Sequence, residues 1–302
     1  MAARAKGLIV VAALAIMATG GLKVLTTGGL KASGYQIGTG AHRIISLVPA
    51  LTEMLFAIGA GPQVVAVSSY DDFPADTRTL PRVGALLDPD VERILVLRPD
   101  LVVTYGSQDA LEAQLASAGI RTFSYRHGGI EALFQTMRDL GAAAGRAAEA
   151  ERTAGAIRAR LEAIRASVRG RPRPKVLLVF GREPRSLQQM YVSGGAGFLH
   201  DMLDIAGGTN VFADVPREAV QPSHETLLTR APDVIVELHT TRPIAGAEIA
   251  RERAVWSALG SMPAVQNGRI HFLNGDYLVV PGPRVGAATG ALARAIHPEA
   301  FQ

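Results

Sequence analysis

Apolar residues in the first half of the chain form short runs that alternate with segments of helical periodicity. The run HRIISLV (42–48) has the aliphatic and β-branched content of a buried strand. The next segment, PALTEMLFAIGAG (49–61), carries apolar residues at helical spacing, with a proline in its first turn and glycines at its end. The alternation continues with predicted strands at 63–69, 100–105 and 121–126 and a predicted helix at 106–119. This pattern predicts a parallel sheet with helices on its faces.

The pattern changes between residues 131 and 169, where Ala, Arg and Glu dominate and helix breakers are few. We predict one long helix at 144–169, about 38 Å long at a rise of about 1.5 Å per residue. Strand and helix alternation resumes at 175–181 and ends in a predicted helix within 281–296. The predicted fold is therefore α/β, with two similar lobes of mostly parallel sheets (41–140 and 171–302) joined by one long, stiff helix (141–170).

One phrase occurs in both predicted lobes. Residues 92–105 read ERILVLRPDLVVTY and residues 225–238 read ETLLTRAPDVIVEL. In both copies a residue of the helix-capping type, Asp90 or Ser223, precedes the leading glutamate by two positions. Glu92 and Glu225 are therefore expected in the first turns of two helices, where a negative charge complements the helix dipole. Acids at matching places on twin lobes could meet two basic residues of a roughly symmetric partner.

The N-terminal segment has the pattern of an export signal. MAARAK is a short basic stretch, and GLIVVAALAIMA is an apolar run of signal-peptide length that is short for a membrane span. Residues 1–40 are therefore predicted to be a signal peptide, or an uncleaved N-terminal anchor, followed by a linker. Either interpretation predicts an exported protein.

Charge and cysteine content exclude several classes of protein. The chain has a net charge of +4, and residues 1–31 contain four basic residues and no acid, so the body is close to neutral. We therefore expect no nucleic-acid partner. The chain has no cysteine, which rules out disulfides, thiolate metal sites and a cysteine nucleophile.

Motif searches give no reason to expect an enzyme. The glycines of GGAGFL (194–199) do not complete the dinucleotide-binding fingerprint, because His200 stands where the last glycine belongs. The chain shows neither a phosphate-binding loop nor a nucleophile elbow, and its histidines have no metal-motif spacing. We expect no metal site and no catalytic residue. A pair formed by His239 and Asp276 is the one we would nominate for a cleft enzyme.

Aromatic residues cluster where predicted strands end. Tyr70 and Phe73 follow the strand at 63–69, Tyr105 ends the strand at 100–105, and Asp276 and Tyr277 end a predicted strand at 269–277. Ligands of open α/β sheets bind outside the carboxyl ends of the strands. Tyrosine offers a large contact area and one hydrogen-bonding group, so these residues are candidates for ligand binding.

Several segments resemble the class III periplasmic substrate-binding proteins of ABC importers, and most closely the cobalamin-binding type. The resemblance is carried by Leu47-Val48-Pro49 with Thr52-Glu53, by SSYDDFP (68–74) and by VERILVLRPDLV (91–102). It continues through AGGTNVF (206–212) and GDY with PR (275–284), and it covers about residues 42–297.

This resemblance implies a ligand cleft between two lobes bridged by one backbone helix, and a periplasmic location. It also implies that Glu92 and Glu225 dock onto the permease dimer of the transporter, and we expect the binding protein to be a monomer. We expect ligand contacts at the following residues: Tyr70, Phe73, Tyr105, Gln221, His239, Asp276, Tyr277 and Arg284.

The identity of the ligand stays open at this point. Tyr105 stands where the cobalamin binders have tryptophan, Ala219 replaces another expected tryptophan, and Val280 replaces an expected arginine. Cobalamin or a related corrinoid is the leading expectation, haem or a ferric siderophore is the alternative, and a cleft enzyme such as a metal chelatase is a third. No catalytic cofactor is expected.

Overall fold

The computed structural model describes residues 40–240 and 242–301. The predicted signal peptide or anchor lies outside the described residues, apart from Gly40 at its end. Within the described part, no helix combines the length and the apolar character needed to cross a bilayer.

A four-stranded sheet of purely parallel strands forms the N-terminal lobe. The strands lie in the order β2-β1-β3-β4, which places the first strand of the chain inside the sheet. The bounds are β1 (Ile44–Ser46), β2 (Val64–Val67), β3 (Leu101–Tyr105) and β4 (Arg121–Tyr125). Each of these strands lies within a segment predicted from the sequence pattern.

Four helices accompany this sheet: α1 (Pro49–Ala57), α2 (Val91–Val96), α3 (Asp109–Ser117) and α4 (Ile130–Ala143). Pro49 occupies the first turn of α1, where its missing N–H leaves no hydrogen bond unmade. The helix α5 (Ala147–Ser167) follows α4 and lies within the predicted range 144–169. It packs against α4 on one side and against helices of the second lobe on the other.

The second lobe contains a six-stranded sheet. Its order is β10-β9-β5-β6-β8, and β7 also pairs with β5. β5, β7, β9 and β10 are mutually parallel, whereas β6 is antiparallel to its neighbours. The strand bounds are β5 (Lys175–Gly181), β6 (Tyr191–Ser193), β7 (Thr209–Asn210), β8 (Ala219–Val220), β9 (Val234–His239) and β10 (Ile270–Asn274).

The helices of this lobe are α6 (Gly197–Ile205), α7 (His224–Arg230), α8 (Ala247–Ala254), α9 (Pro263–Gln266) and α10 (Val285–Ile296). The mixed α/β class with mostly parallel strands in two lobes is thereby confirmed. The boundaries proposed for the lobes and for the connecting segment stay predictions.

One large apolar core runs through both lobes. It takes one face of each sheet, as with Val103 and Val236, and continues through the apolar faces of α4, α5 and α10. Two smaller cores cover the opposite faces, one around Val102 in the first lobe and one around Trp256 in the second. Neighbouring residues of a strand point to opposite faces of the sheet. Apolar residues occupy both faces here, as expected for sheets covered by helices on both sides. The shared core ties the lobes together.

The two copies of the repeated phrase have the same local structure. Asp90 caps α2 and Ser223 caps α7, and each side chain accepts a hydrogen bond from the N–H three positions later. Both helices are followed by a residue of left-handed backbone directly before a proline: Arg98 (φ 46°) and Ala231 (φ 45°). A proline disfavours helical backbone in the residue before it, so the helix stops at the same point in each copy.

The aspartate after that proline ties each phrase to the first strand of its lobe. Asp100 accepts hydrogen bonds from the backbone of Arg43 and its neighbour, and Asp233 accepts one from the backbone of Lys175. The side chains of Arg43 and Lys175 in turn donate to carbonyl groups at the ends of α2 and α7, respectively. The repeat is therefore a structural duplication.

Candidate functional site

Residues that follow β1 and β4 in the first lobe contact residues of the second lobe. Two polar contacts fix this approach. Arg284, just before α10, reaches Glu53 on α1, and Asp201 on α6 accepts a hydrogen bond of 2.8 Å from the N–H of Ile130. We call the region that these contacts span the interlobe site.

Arg284 binds one carboxylate from each lobe. Its guanidinium forms a bidentate ion pair with Glu53, at 2.5 Å and 2.9 Å, and donates to Asp276 at 2.9 Å and 3.1 Å. The Glu53 side chain is almost fully buried, whereas that of Asp276 is 55% exposed. Burial raises the pKa of Glu53 above its ordinary value, and the hydrogen bond and charge of Arg284 oppose this rise. Two predicted ligand residues, Arg284 and Asp276, thus form an ion-pair cluster with a residue that we did not predict.

Two aromatic rings lie close to this cluster. The Arg284 guanidinium lies 4.0 Å from the centroid of the Phe73 ring and 5.7 Å from that of Tyr277. Phe73 is 42% exposed, so it offers a ring face between the lobes. The structure therefore brings together four of the predicted ligand residues: Phe73, Asp276, Tyr277 and Arg284.

The position of Asp276 and Tyr277 in the chain corrects one expectation. The strand does not extend to 277; β10 ends at Asn274, and Asp276–Val279 form a 3-10 helix. Gly275 lies between the two elements at φ 148°, and a Cβ there would lie 2.3 Å from the Tyr277 ring. The glycine turns the chain and lets that ring fold back over it.

A second group of rings lies at the ends of β3 and β4. Tyr105 and Tyr125 pack edge to face with centroids 5.6 Å apart, and the His127 ring lies 5.3 Å and 5.2 Å from them. Tyr105 was predicted, but Tyr125 and His127 were missed. Ligands bind outside the carboxyl ends of strands, and RTFSYRH (121–127) contains the end of a predicted strand. The same rule could therefore have identified both residues from the sequence.

Tyr70 is half-buried at the end of β2, in a loop held by a buried carboxylate. The next residue, Asp71, accepts hydrogen bonds from the backbone N–H of Ser68, at 2.9 Å, and from the Ser68 hydroxyl. Burial raises the pKa of Asp71 from 3.8 to about 6, and these hydrogen bonds oppose the rise. Hydrogen bonds between residues of the same loop thus hold the segment that carries Tyr70 and Phe73.

His239 faces away from the Arg284 cluster. Its ring contacts Glu237, at 3.5 Å, and Phe272, on the sheet face that packs around Trp256. Glu237 is buried and paired with Arg182, at 2.9 Å and 3.0 Å. Asp276 bonds to Arg284 instead, so the structure does not assemble the His239 and Asp276 pair that an enzyme would use.

Gln221 follows β8 and is exposed. Among the described residues, no group of three or more histidine, aspartate or glutamate side chains is arranged to hold a metal ion. The roles of the eight predicted ligand residues stay predictions.

Glu92 and Glu225 are both exposed in the first turns of their helices. Leu95 and Leu228, three positions later, are also exposed, at 41% and 40%. Each lobe therefore presents an acid beside a leucine on one face of a short helix. The permease-docking role of the glutamates stays a prediction.

Comparisons with known proteins assign this architecture to a family. The family described as "Periplasmic binding protein" matches residues 44–277. The vitamin B12-binding protein of Salmonella typhimurium is 32% identical over 260 residues, which cover 85% of this chain and 90% of the relative.

Solved structures agree with that match. The periplasmic vitamin B12-binding protein of Vibrio cholerae has a TM-score of 0.71 at 26% identity, covering 88% of this chain and 100% of that one. A periplasmic haem-binding protein from Roseiflexus has a TM-score of 0.70 at 29% identity, covering 87% and 100%. The relatives are binding proteins, and the chain belongs to the periplasmic binding protein family.

Proposed function

We propose that this protein captures cobalamin or a related corrinoid outside the cytoplasmic membrane and delivers it to the permease of an ABC importer. The family acts as the periplasmic component of such importers. We further propose the ligand, the site that binds it and the residues that dock onto the permease.

The choice of ligand rests on one observation, which is that Arg284 is already paired with two carboxylates. It is the one arginine or lysine among the eight predicted ligand residues, and carboxylates of Glu53 and Asp276 already occupy its guanidinium. Haem carries two carboxylates, and such an anion would have to compete with both acids for the same cation. A corrinoid bearing neutral amides avoids that competition, and the exposed oxygens of Asp276 can accept hydrogen bonds from amide N–H groups.

The rings around this cluster suit a large, partly apolar macrocycle. Phe73 and Tyr277 lie beside Arg284, and Tyr70 follows β2 in the first lobe. Broad ring faces give contact area at a small cost in conformational entropy. We propose a mechanism of binding rather than catalysis, and the relatives, which are binding proteins, support this.

Docking completes the function. The exposed Glu92 and Glu225 occupy equivalent places on the two lobes, and this supports simultaneous contact with both permease subunits. The shared core, the Arg284 cluster and the Asp201 contact all resist separation of the lobes. We therefore expect ligand release to follow docking, without a large closure of the lobes.

Titration by calorimetry tests the ligand. Purified protein should bind cyanocobalamin with one site and a Kd of about 1 μM or tighter. Tyr70→Ala should weaken binding about ten-fold, whereas Leu87→Ala, at a residue that is 72% exposed, should leave the affinity unchanged. Haem binding with a Soret band, together with no heat from cyanocobalamin, would move the assignment to haem. Failure of both ligands would refute a macrocycle-binding role.

A further inference from the structure

A cavity of about 380 Å³ lies at the outer edge of the second sheet. β10 is the last strand of that sheet on its side, so β9 is its only neighbour in the strand order. α8 and α10 flank the strand here, with Arg253 lining the cavity from α8, Phe272 from β10 and Arg294 from α10. We call this space the edge cavity.

The backbone of β10 presents a hydrogen-bond donor at this edge. The N–H of Ile235 in β9 donates to the carbonyl of Arg269, just before β10. The N–H of Gly275, just after β10, donates to the carbonyl of His239 in β9. Successive residues of a paired strand turn their N–H groups to opposite edges, so the odd-numbered positions face β9. Phe272 therefore directs its N–H and C=O away from β9, to the open edge.

The edge cavity is basic. Arg253 and Arg294 are both exposed, and the described residues that line the cavity include no aspartate or glutamate. The Arg253 guanidinium donates to the carbonyl of Gly268, at 3.4 Å, and lies 5.5 Å from the centroid of the Phe272 ring. It therefore keeps donor groups for a ligand, because a guanidinium has five N–H groups.

His271, which also lines the cavity, reports the local charge. Burial lowers the pKa of its imidazole, and the positive charges of Arg269 and Arg253 lower it further. The surroundings thus disfavour another positive charge and favour an anion.

The arrangement of donors indicates the class of anion. Two guanidinium groups from different helices and one backbone N–H from the strand between them approach from three directions. A phosphate group has oxygens in several directions and can accept from all three, whereas the two oxygens of a carboxylate lie in one plane. Apolar side chains complete the lining, among them Ile249 and Ala291.

We propose that the edge cavity is a second binding site of this protein and takes a phosphate ester with an apolar substituent. Arg253 and Arg294 bind the phosphate oxygens, the N–H of Phe272 donates to one of them, and the apolar side chains cover the substituent. This site is separate from the interlobe site and does not depend on which macrocycle binds there.

Calorimetry with phenyl phosphate tests the proposal. Wild type should bind it with a Kd of about 1 mM or tighter, and inorganic phosphate should bind about ten-fold more weakly because it lacks the apolar group. Arg253→Gln and Arg294→Gln should each weaken phenyl phosphate binding about ten-fold. Arg251→Gln also removes one positive charge from α8, at an exposed residue outside the cavity lining, and should leave the affinity unchanged.

Two further measurements locate the site. The pKa of His271, followed by NMR of its ring protons, should rise when phenyl phosphate binds, because the anion offsets the nearby arginines. Cyanocobalamin affinity should be the same in all three variants as in wild type. A pKa of His271 that does not move would place the phosphate elsewhere and overturn the inference.

The phosphate could belong to a soluble ester or to a phospholipid headgroup. Sedimentation with vesicles of phosphatidylglycerol and phosphatidylcholine distinguishes these sources. Sedimentation that Arg294→Gln abolishes and Arg251→Gln does not would identify a headgroup, and phenyl phosphate binding without sedimentation would identify a soluble ester. Failure of both probes, or equal loss in Arg251→Gln and Arg294→Gln, overturns the inference and leaves the proposed function intact. Equal affinities for phenyl phosphate and inorganic phosphate overturn the choice of an ester.

Discussion

The ion-pair cluster at Arg284 gives the sharpest prediction about stability. Arg284→Met removes the guanidinium and leaves the Glu53 carboxylate, whose side chain is only 4% exposed, without its cationic partner. Removing one partner of a buried pair costs about 3–5 kcal/mol, because the remaining charge stays out of water. Arg284 is itself 19% exposed, so we expect the lower end of this range, about 3 kcal/mol at pH 7.

The two acids should contribute unequally. Asp276 is 55% exposed, so Asp276→Asn should cost less than about 1 kcal/mol, as for a surface ion pair. The double variant Arg284→Met with Glu53→Gln should recover most of the loss, because no unpaired charge is left in the core. The two single changes should therefore be strongly non-additive.

The deficit of Arg284→Met should also depend on pH. Burial already raises the pKa of Glu53, and loss of Arg284 removes the interactions that oppose this rise. The folded variant then binds a proton more readily than the unfolded chain, so its stability falls as the pH rises. The deficit should be smaller at pH 5 than at pH 7.

Urea unfolding at both pH values measures these effects. Fluorescence of Trp256, the single tryptophan of the chain, reports on the second lobe, and circular dichroism reports on the whole protein. Equal stability of wild type and Arg284→Met would show that the pair does not form. A double variant no more stable than Arg284→Met would show that the unpaired charge is not the cause of the loss.

Three further predictions follow from the loops, the lobe contact and the docking residues. Asp71→Asn should gain stability over wild type as the pH rises, from below about 1 kcal/mol at pH 4 to about 3 kcal/mol at pH 7, measured by urea unfolding. The reason is that the folded carboxyl has a raised pKa and holds its proton more tightly than the unfolded one. A difference that stays constant with pH would contradict this. Asp201→Ala should cost about 1 kcal/mol, because it removes the cap that the second lobe supplies to Ile130 at the start of α4; no change in the urea midpoint would argue against the contact. Glu92→Ala and Glu225→Ala should each weaken binding to the permease, measured by a pull-down with reconstituted transporter. The affinity for cyanocobalamin should stay unchanged. Loss of ligand binding instead would place these residues in the ligand site.

The sequence by itself determined the elements and much of their arrangement. Strand and helix periodicity located the parallel strands, and cap residues located the starts of α2 and α7. The repeated phrase also predicted equivalent places for Glu92 and Glu225. These features depend on residues a few positions apart or on a pattern repeated along the chain, and both are visible in one sequence.

Only the tertiary structure decided which polar groups meet. Glu53 and Arg284 are 231 positions apart and pair because α1 and the segment before α10 lie against each other between the lobes. The sequence nominated His239 and Asp276 as a pair, but the two side chains join different clusters. Side-chain partners at such separations depend on how two sheets and a shared core pack, and no local pattern records that packing.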